Sequence, residues 1–431
     1  MLCYSLYAAT AIAMTTNRTS TVDSAAAGAG STHPAPDGVP MLDLHRQYEA
    51  IAPEILAAVE RVCASQHYIL GPEVEAFECE LAAFCGASHA VGCASGTDAL
   101  WLALVAAGVQ PGDRVLTTPF SFFASASSIV RAGAQPIFAD IDPLTFNLDP
   151  AQVEIALRRH ADHKLRALLP VHLYGQCADM DRFRQLAQAF NLALIEDAAQ
   201  AIGAGWNTSS ENPQRAGSMG VCAAFSFYPT KNLSAYGDAG AVTTNNPEMA
   251  EHLRRLRNHG SPRRYVHQEF GWNSRLDALQ AAILRVKLHY IDEWNAARRA
   301  RAATYDRLFA ETGLARSQST IENRPSAIPD DFPIHLPLSA PPAHHVFHQY
   351  VIRAHRRDEL REFLTARKIG TEIYYPIPLH LQECFLYLGH RAGDFPESER
   401  AAKEVLALPM FPELTEEEQR RVVQSIADFY C

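Results

Sequence analysis

The chain has no apolar run approaching the roughly 20 residues that a membrane-spanning helix needs, so no membrane partner is expected. It has no Cys-x-x-Cys pair, and its nine cysteines are odd in number and irregularly spaced. That argues against a disulfide framework and for free thiols in a reducing, cytoplasmic setting. Cys63, Cys93 and Cys222, set among small or apolar residues, are expected to be buried. No secretion signal is expected, because the mildly apolar stretch Leu2 to Met14 lacks a basic start and a convincing cleavage site. Positive charge is in deficit: 38 Lys and Arg against 48 Asp and Glu give a formal net charge of −10, which speaks against a nucleic-acid partner. The local basic cluster Arg254, Arg255, Arg257, Arg263 and Arg264 is expected to be a solvated or subunit-facing helix end.

Core-forming residues are scarce in one region only. Residues 15–38 are almost entirely Thr, Ser, Ala, Gly, Pro and Asn, which cannot offset the entropy of ordering, so residues 1–38 are expected to be a disordered extension. The rest of the 431 residues suffices for one large α/β domain, 39–275, and a smaller α+β companion with its linking helix, 276–431.

Helical and short apolar segments alternate from Val39 onward, the pattern of a mostly parallel sheet flanked by helices. After a first helix over 47–65, seven strands are predicted: 89–93, 114–117, 136–139, 167–171, 192–196, 223–227 and 240–243. Beyond Pro247 the pattern turns mostly helical. A single long helix is expected over Leu276–Phe309, one clear strand over Gln349–Ala354 after the Pro-rich stretch 325–342, and a helix at the C-terminus.

Two runs carry chemistry. Leu192-Ala193-Leu194-Ile195-Glu196-Asp197 places a carboxylate at the end of a buried strand. About thirty residues later, Phe225-Ser226-Phe227-Tyr228-Pro229-Thr230-Lys231 presents a lysine on the turn after another strand. Such a pair suits pyridoxal 5′-phosphate: the amine forms a Schiff base with the aldehyde and the carboxylate keeps the pyridine nitrogen protonated. A phosphate could sit at Ser95-Gly96-Thr97-Asp98, where a strand ends and a helix begins with free N–H groups, although a plain helix cap reads the same way. Phe122 could stack on the ring or serve as an ordinary core aromatic. His344, His345 and His348 have no acidic or thiol partner nearby in sequence, and no metal is expected.

The runs Ser95-Gly96-Thr97-Asp98-Ala99-Leu100, Glu196-Asp197-Ala198-Ala199-Gln200, Phe225 to Asn232, Gly271-Trp272-Asn273-Ser274-Arg275-Leu276-Asp277 and Tyr375-Pro376-Ile377-Pro378-Leu379-His380 stand in order along the chain. Together they resemble the DegT/DnrJ/EryC1/StrS family of sugar aminotransferases, within the fold type I pyridoxal-phosphate enzymes, over roughly nine-tenths of the sequence. The resemblance implies that Lys231 holds the cofactor, Asp197 pairs with its ring nitrogen, Gln200 reaches its hydroxyl and Phe122 stacks on it. Gly96, Thr97 and Ser226 would bind the phosphate, joined by Asn273 from the neighbouring subunit of a homodimer. It also implies an amino-acid donor, usually glutamate, and a nucleotide-linked keto-sugar acceptor. Intact Lys231, Asp197 and Gln200 weigh against a fold-retaining regulatory protein, and Lys231 against relatives that carry histidine there and act as dehydratases. Ala239 and Tyr374 depart from the family pattern, and Tyr374 bears on the sugar pocket.

Overall fold

Alternation along the strand Cys222–Ser226 and just beyond it sends Phe225 and Phe227 into the core and Ser226 to the opposite face. Each fully buried phenyl ring stabilises the fold by about 2–3 kcal/mol. The same logic organises a seven-stranded sheet in a computed structural model that describes residues 37–160, 162–206, 214–315, 332–339 and 343–431. The expected disordered extension lies outside the described residues up to position 36, as do parts of the Pro-rich stretch.

The strands run in the spatial order His89–Cys93, Gly240–Thr244, Cys222–Ser226, Ala193–Asp197, Leu165–Leu168, Arg114–Thr117 and Gln135–Phe138. The last five are mutually parallel, whereas Gly240–Thr244 is antiparallel to both of its neighbours. Helices including Pro72–Cys85, Gly96–Ala106, Met180–Ala189 and Pro247–Leu256 cover the sheet, the α/β layering that a buried parallel sheet requires. A second sheet joins Ile334–His335, Tyr350–Ala354 and Val405–Leu408 around a separate core of Tyr305, Tyr350, Leu406 and Phe411.

Several expectations need correcting. The first helix is Leu44–Ser65 and starts earlier than expected, because the Asp43 side chain accepts from the N–H groups of His45 and Arg46. The strand expected over 167–171 is Leu165–Leu168, since Pro170 has no N–H for the ladder. The single helix expected over 276–309 is two, Ala278–Leu288 and Ile291–Thr312. At the join, His289 and Tyr290 donate to carbonyls three residues back, closing the first helix in a tighter turn. Cys63 is exposed, while Cys93 and Cys222 are buried as expected. Arg257 is buried, not solvated: its Nη1 contacts Glu78 and donates to the Gly92 carbonyl at 2.6 Å.

Candidate active site

The parallel strands Ala193–Asp197 and Cys222–Ser226 pair Glu196 with Ala223 and Asp197 with Ala224. Their C-terminal ends therefore arrive side by side, at the edge where open α/β sheets bind ligands. Asp197 ends one strand, Ser226 ends the other, and the turn that follows carries Lys231, whose N–H bonds the Tyr228 carbonyl at 2.8 Å.

Asp197 is buried and accepts from Ser125 Oγ at 2.7 Å and from the Ala199 N–H at 3.2 Å. Burial nevertheless raises its pKa, with the hydrogen bonds and the Lys231 charge opposing, so the carboxylate is undersupplied with positive charge. Lys231 as a whole is half-buried, yet its amine is desolvated by the surrounding protein. That desolvation lowers its pKa to about 8, with Asp197 pulling the other way. An amine so poised is neutral in a useful fraction near physiological pH.

Gln200 accepts from the Tyr174 N–H at 2.7 Å and donates to the Tyr375 hydroxyl at 3.1 Å. Tyr375 lies 175 residues further along the chain, and its ring sits 6.2 Å from that of Phe122. Phe122 is 57% exposed, which rules out the ordinary core aromatic. Gly96 and Ser226 meet from opposite sides: a Cβ added at Gly96 would lie 2.4 Å from Ser226 Cβ. One added at Gly240 would lie 2.3 Å from the Ser95 carbonyl oxygen. Neither glycine has a positive φ, so close approach alone demands them. Ser95 caps the helix Gly96–Ala106 through the Asp98 N–H at 3.1 Å, and the helix start at Gly96 lies beside Ser226, a cradle that could hold a phosphate.

Among the described residues, Asn273 makes no side-chain hydrogen bond to the other seven expected site residues, Gly96, Thr97, Phe122, Asp197, Gln200, Ser226 and Lys231. It is exposed and its backbone bridges to Asn258. The next residue, Ser274, is buried and donates to Asp98 at 2.5 Å, so alternation turns Asn273 away from its own chain's helix. Sequence reasoning assigned no role to Ser125, Tyr174, Tyr375, Asn232 or His348, which the fold brings to this site or to its wall. Of these, Asn232 and Tyr375 stood in recognised runs, with no role assigned to either. Among the described residues, no group of His, Cys, Asp and Glu has the arrangement of a metal site.

Residues 49–427 match the model of the DegT/DnrJ/EryC1/StrS aminotransferase family. A relative from Geobacillus stearothermophilus named pleiotropic regulatory protein is 51% identical, over 91% of this chain and 98% of its own. The dTDP-3-amino-3,4,6-trideoxy-alpha-D-glucose transaminase of Streptomyces venezuelae is 44% identical over 91% of this chain and 96% of its own. The crystal structure of S. venezuelae DesV in complex with a ketimine intermediate superposes with a TM-score of 0.80 at 43% identity, covering 91% of this chain and 98% of DesV. With a family match across most of its length and this cradle, lysine and carboxylate at adjoining strand ends, the chain belongs to the DegT/DnrJ/EryC1/StrS aminotransferase family.

Proposed function

We propose that the protein is a pyridoxal 5′-phosphate-dependent aminotransferase that moves an amino group from an amino acid, glutamate in the first instance, to a keto group of a nucleotide-linked sugar. The observation that carries this reading is the Lys231 amine, brought to about 8 by burial, at the strand ends that also hold a buried carboxylate short of positive charge. The residues present fit the cofactor: Gly96, Thr97 and Ser226 form a cradle that any larger side chain at 96 would fill. When bound, pyridoxal phosphate supplies a carbonyl for amine exchange and an electron sink. Asp197 would hold positive charge on the ring nitrogen, Gln200 would offer its amide to the ring hydroxyl and Phe122 would cover the ring. Lys231 Nζ, once free, takes the proton from the donor's α-carbon and later returns one to the product, a role worth about 10²–10⁴ in rate.

The regulatory name of the 51% identical relative favours a second reading, a family member that binds without turning over. Intact Lys231, Asp197 and Gln200 support the catalytic one. The family likeness and the exposed Asn273 support a homodimer in which each chain completes its partner's phosphate site, and the free thiols of the described cysteines support a cytoplasmic setting. The sheet-bearing part 39–275 would bind the cofactor, and 276–431 would form the smaller domain. A panel of dTDP- and UDP-linked keto-sugars, incubated with glutamate and the holoenzyme, should release 2-oxoglutarate in step with an amino sugar, and Lys231→Ala should abolish both. Borohydride-fixed cofactor on any residue other than Lys231, or glutamate left unconsumed with every sugar, would refute the assignment.

A further inference from the structure

The helix Gly96–Ala106 grips both sequence neighbours of Asn273. Asp98 and Trp101 stand three residues apart, on one helical face. The Asp98 carboxylate accepts from Ser274 Oγ at 2.5 Å, and Ser274 is 1% exposed. The buried Trp101 ring meets the Trp272 ring edge to face, with 4.1 Å between centroids and 76° between planes. Arg131 ties the two grips together: its guanidinium lies 3.9 Å from the Trp101 ring centre, while Nη1 bonds the other oxygen of Asp98.

The backbone of this segment is held as well. The N–H groups of Trp272 and Ser274 donate to the carbonyls of Leu256 and Arg257 at 2.8 and 2.9 Å, and the Trp272 carbonyl accepts from the His259 N–H at 2.9 Å. With Trp272 and Ser274 both turned to the helix, alternation sends the exposed Asn273 side chain the opposite way. A carboxylate in the first turn of this helix would repel a phosphate at its start, so Asp98 is an unexpected member of the cradle. Its oxygens are taken by a cation and a hydroxyl, and its N–H by Ser95 Oγ. What it holds is the segment that carries Asn273.

We propose that Asp98, with Trp101 and Arg131, is a positioning residue for Asn273 and thereby for the phosphate site of the partner subunit. The proposal rests on the reading that Asn273 completes its partner's site. A side chain that reaches across an interface binds better when its backbone is fixed beforehand, because less freedom is lost on contact. The same helix start then serves two sites, its own through Gly96 and Thr97 and the partner's through Asp98.

Mixed dimers isolated through two affinity tags separate the two sites. One chain carries Lys231→Ala, which leaves borohydride no amine to fix there, so mass spectrometry of the other chain reads a single site as pyridoxal 5′-phosphate is titrated. In homodimers, Asp98→Ala and Ser274→Ala should each raise the half-saturating concentration at least fivefold. With pyridoxal, which lacks the phosphate, variant and wild type should differ less than twofold. In the mixed dimer the defect should shrink to within twofold of wild type, because the intact grip comes from the Lys231→Ala chain. An unchanged Ser274→Ala homodimer, an equal loss with pyridoxal, or a defect that persists in the mixed dimer overturns the proposal. Ser274→Ala deletes one hydroxyl and decides the matter where Asp98→Ala does not fold. Asn273→Ala in the same pairing separates the two claims. If it recovers while the grip variants do not, the grip alone fails. If it shows no defect, or one that the partner does not repair, the shared site fails and the grip with it.

Discussion

A carboxylate stripped of water and given only two neutral donors is held in an unfavourable state until a cation arrives. Asp197 is in that position, with Ser125 and the Ala199 N–H as its hydrogen-bond partners. Replacing it by asparagine removes the buried charge but keeps the shape and breaks no salt bridge among the described residues, so the melting temperature should stay within a few degrees. Turnover should fall by several orders of magnitude, since a neutral amide cannot stabilise a protonated ring nitrogen in a site where water is excluded. Differential scanning calorimetry alongside steady-state rates checks both halves, and activity within about threefold of wild type contradicts the assigned role.

On the scale of elements, the helix Ala278–Leu288 acts as a clamp on the lysine turn. Gln280 brackets Tyr236, accepting from its N–H at 2.8 Å and donating to its carbonyl at 3.1 Å. Two helical turns later Lys287, 2% exposed, donates to the carbonyl and hydroxyl of Ser234 at 3.0 and 2.8 Å. Burial lowers the Lys287 pKa from 10.5 to about 8. The folded state therefore binds fewer protons than the unfolded state between these values, and stability rises with pH across that window, by about 1–2 kcal/mol from pH 8 to 9.5. Lys287→Met should remove that part of the slope in urea unfolding of the cofactor-free protein and speed hydrogen exchange in residues 228–236. An unchanged slope would show that the lysine is not desolvated. Sequence alone placed Lys287 on a helix without showing that it turned inward. It did read the seven strands of the main sheet, because short apolar runs bounded by turn residues have few other homes. It missed the strand Val405–Leu408 because the helix Pro396–Glu404 runs into it with no punctuating glycine or proline. It missed the break at His289 because the apolar pattern continues through it. The cradle, Lys231 and Asp197 were legible as local runs. Asn232 and His348, 116 residues apart, were not, since only the fold makes them neighbours.

For the whole molecule, the segment around Asn273 exposes Phe270 at 94% and Tyr265 at 81%, more apolar surface than one loop needs and the sort that a second copy covers. If Asn273 serves the partner's site, Lys231→Ala and Asn273→Ala homodimers, each strongly defective, should complement when dissociated and remixed. Random pairing makes about half the dimers mixed and so about a quarter of all sites native in both residues. No recovery of activity would mean that each chain completes its own site. The strand order carries a further consequence, for synthesis. His89–Cys93 pairs with Gly240–Thr244 and reaches the rest of the sheet only through it, so the first strand made must wait for the last. At about 5–20 residues per second on the ribosome, those roughly 150 residues take on the order of ten to thirty seconds. Until then Ser95 and Gly96 lack Gly240, whose bare backbone packs against them, and a nascent chain halted before residue 240 should retain no phosphate-bearing cofactor, however complete its lysine turn.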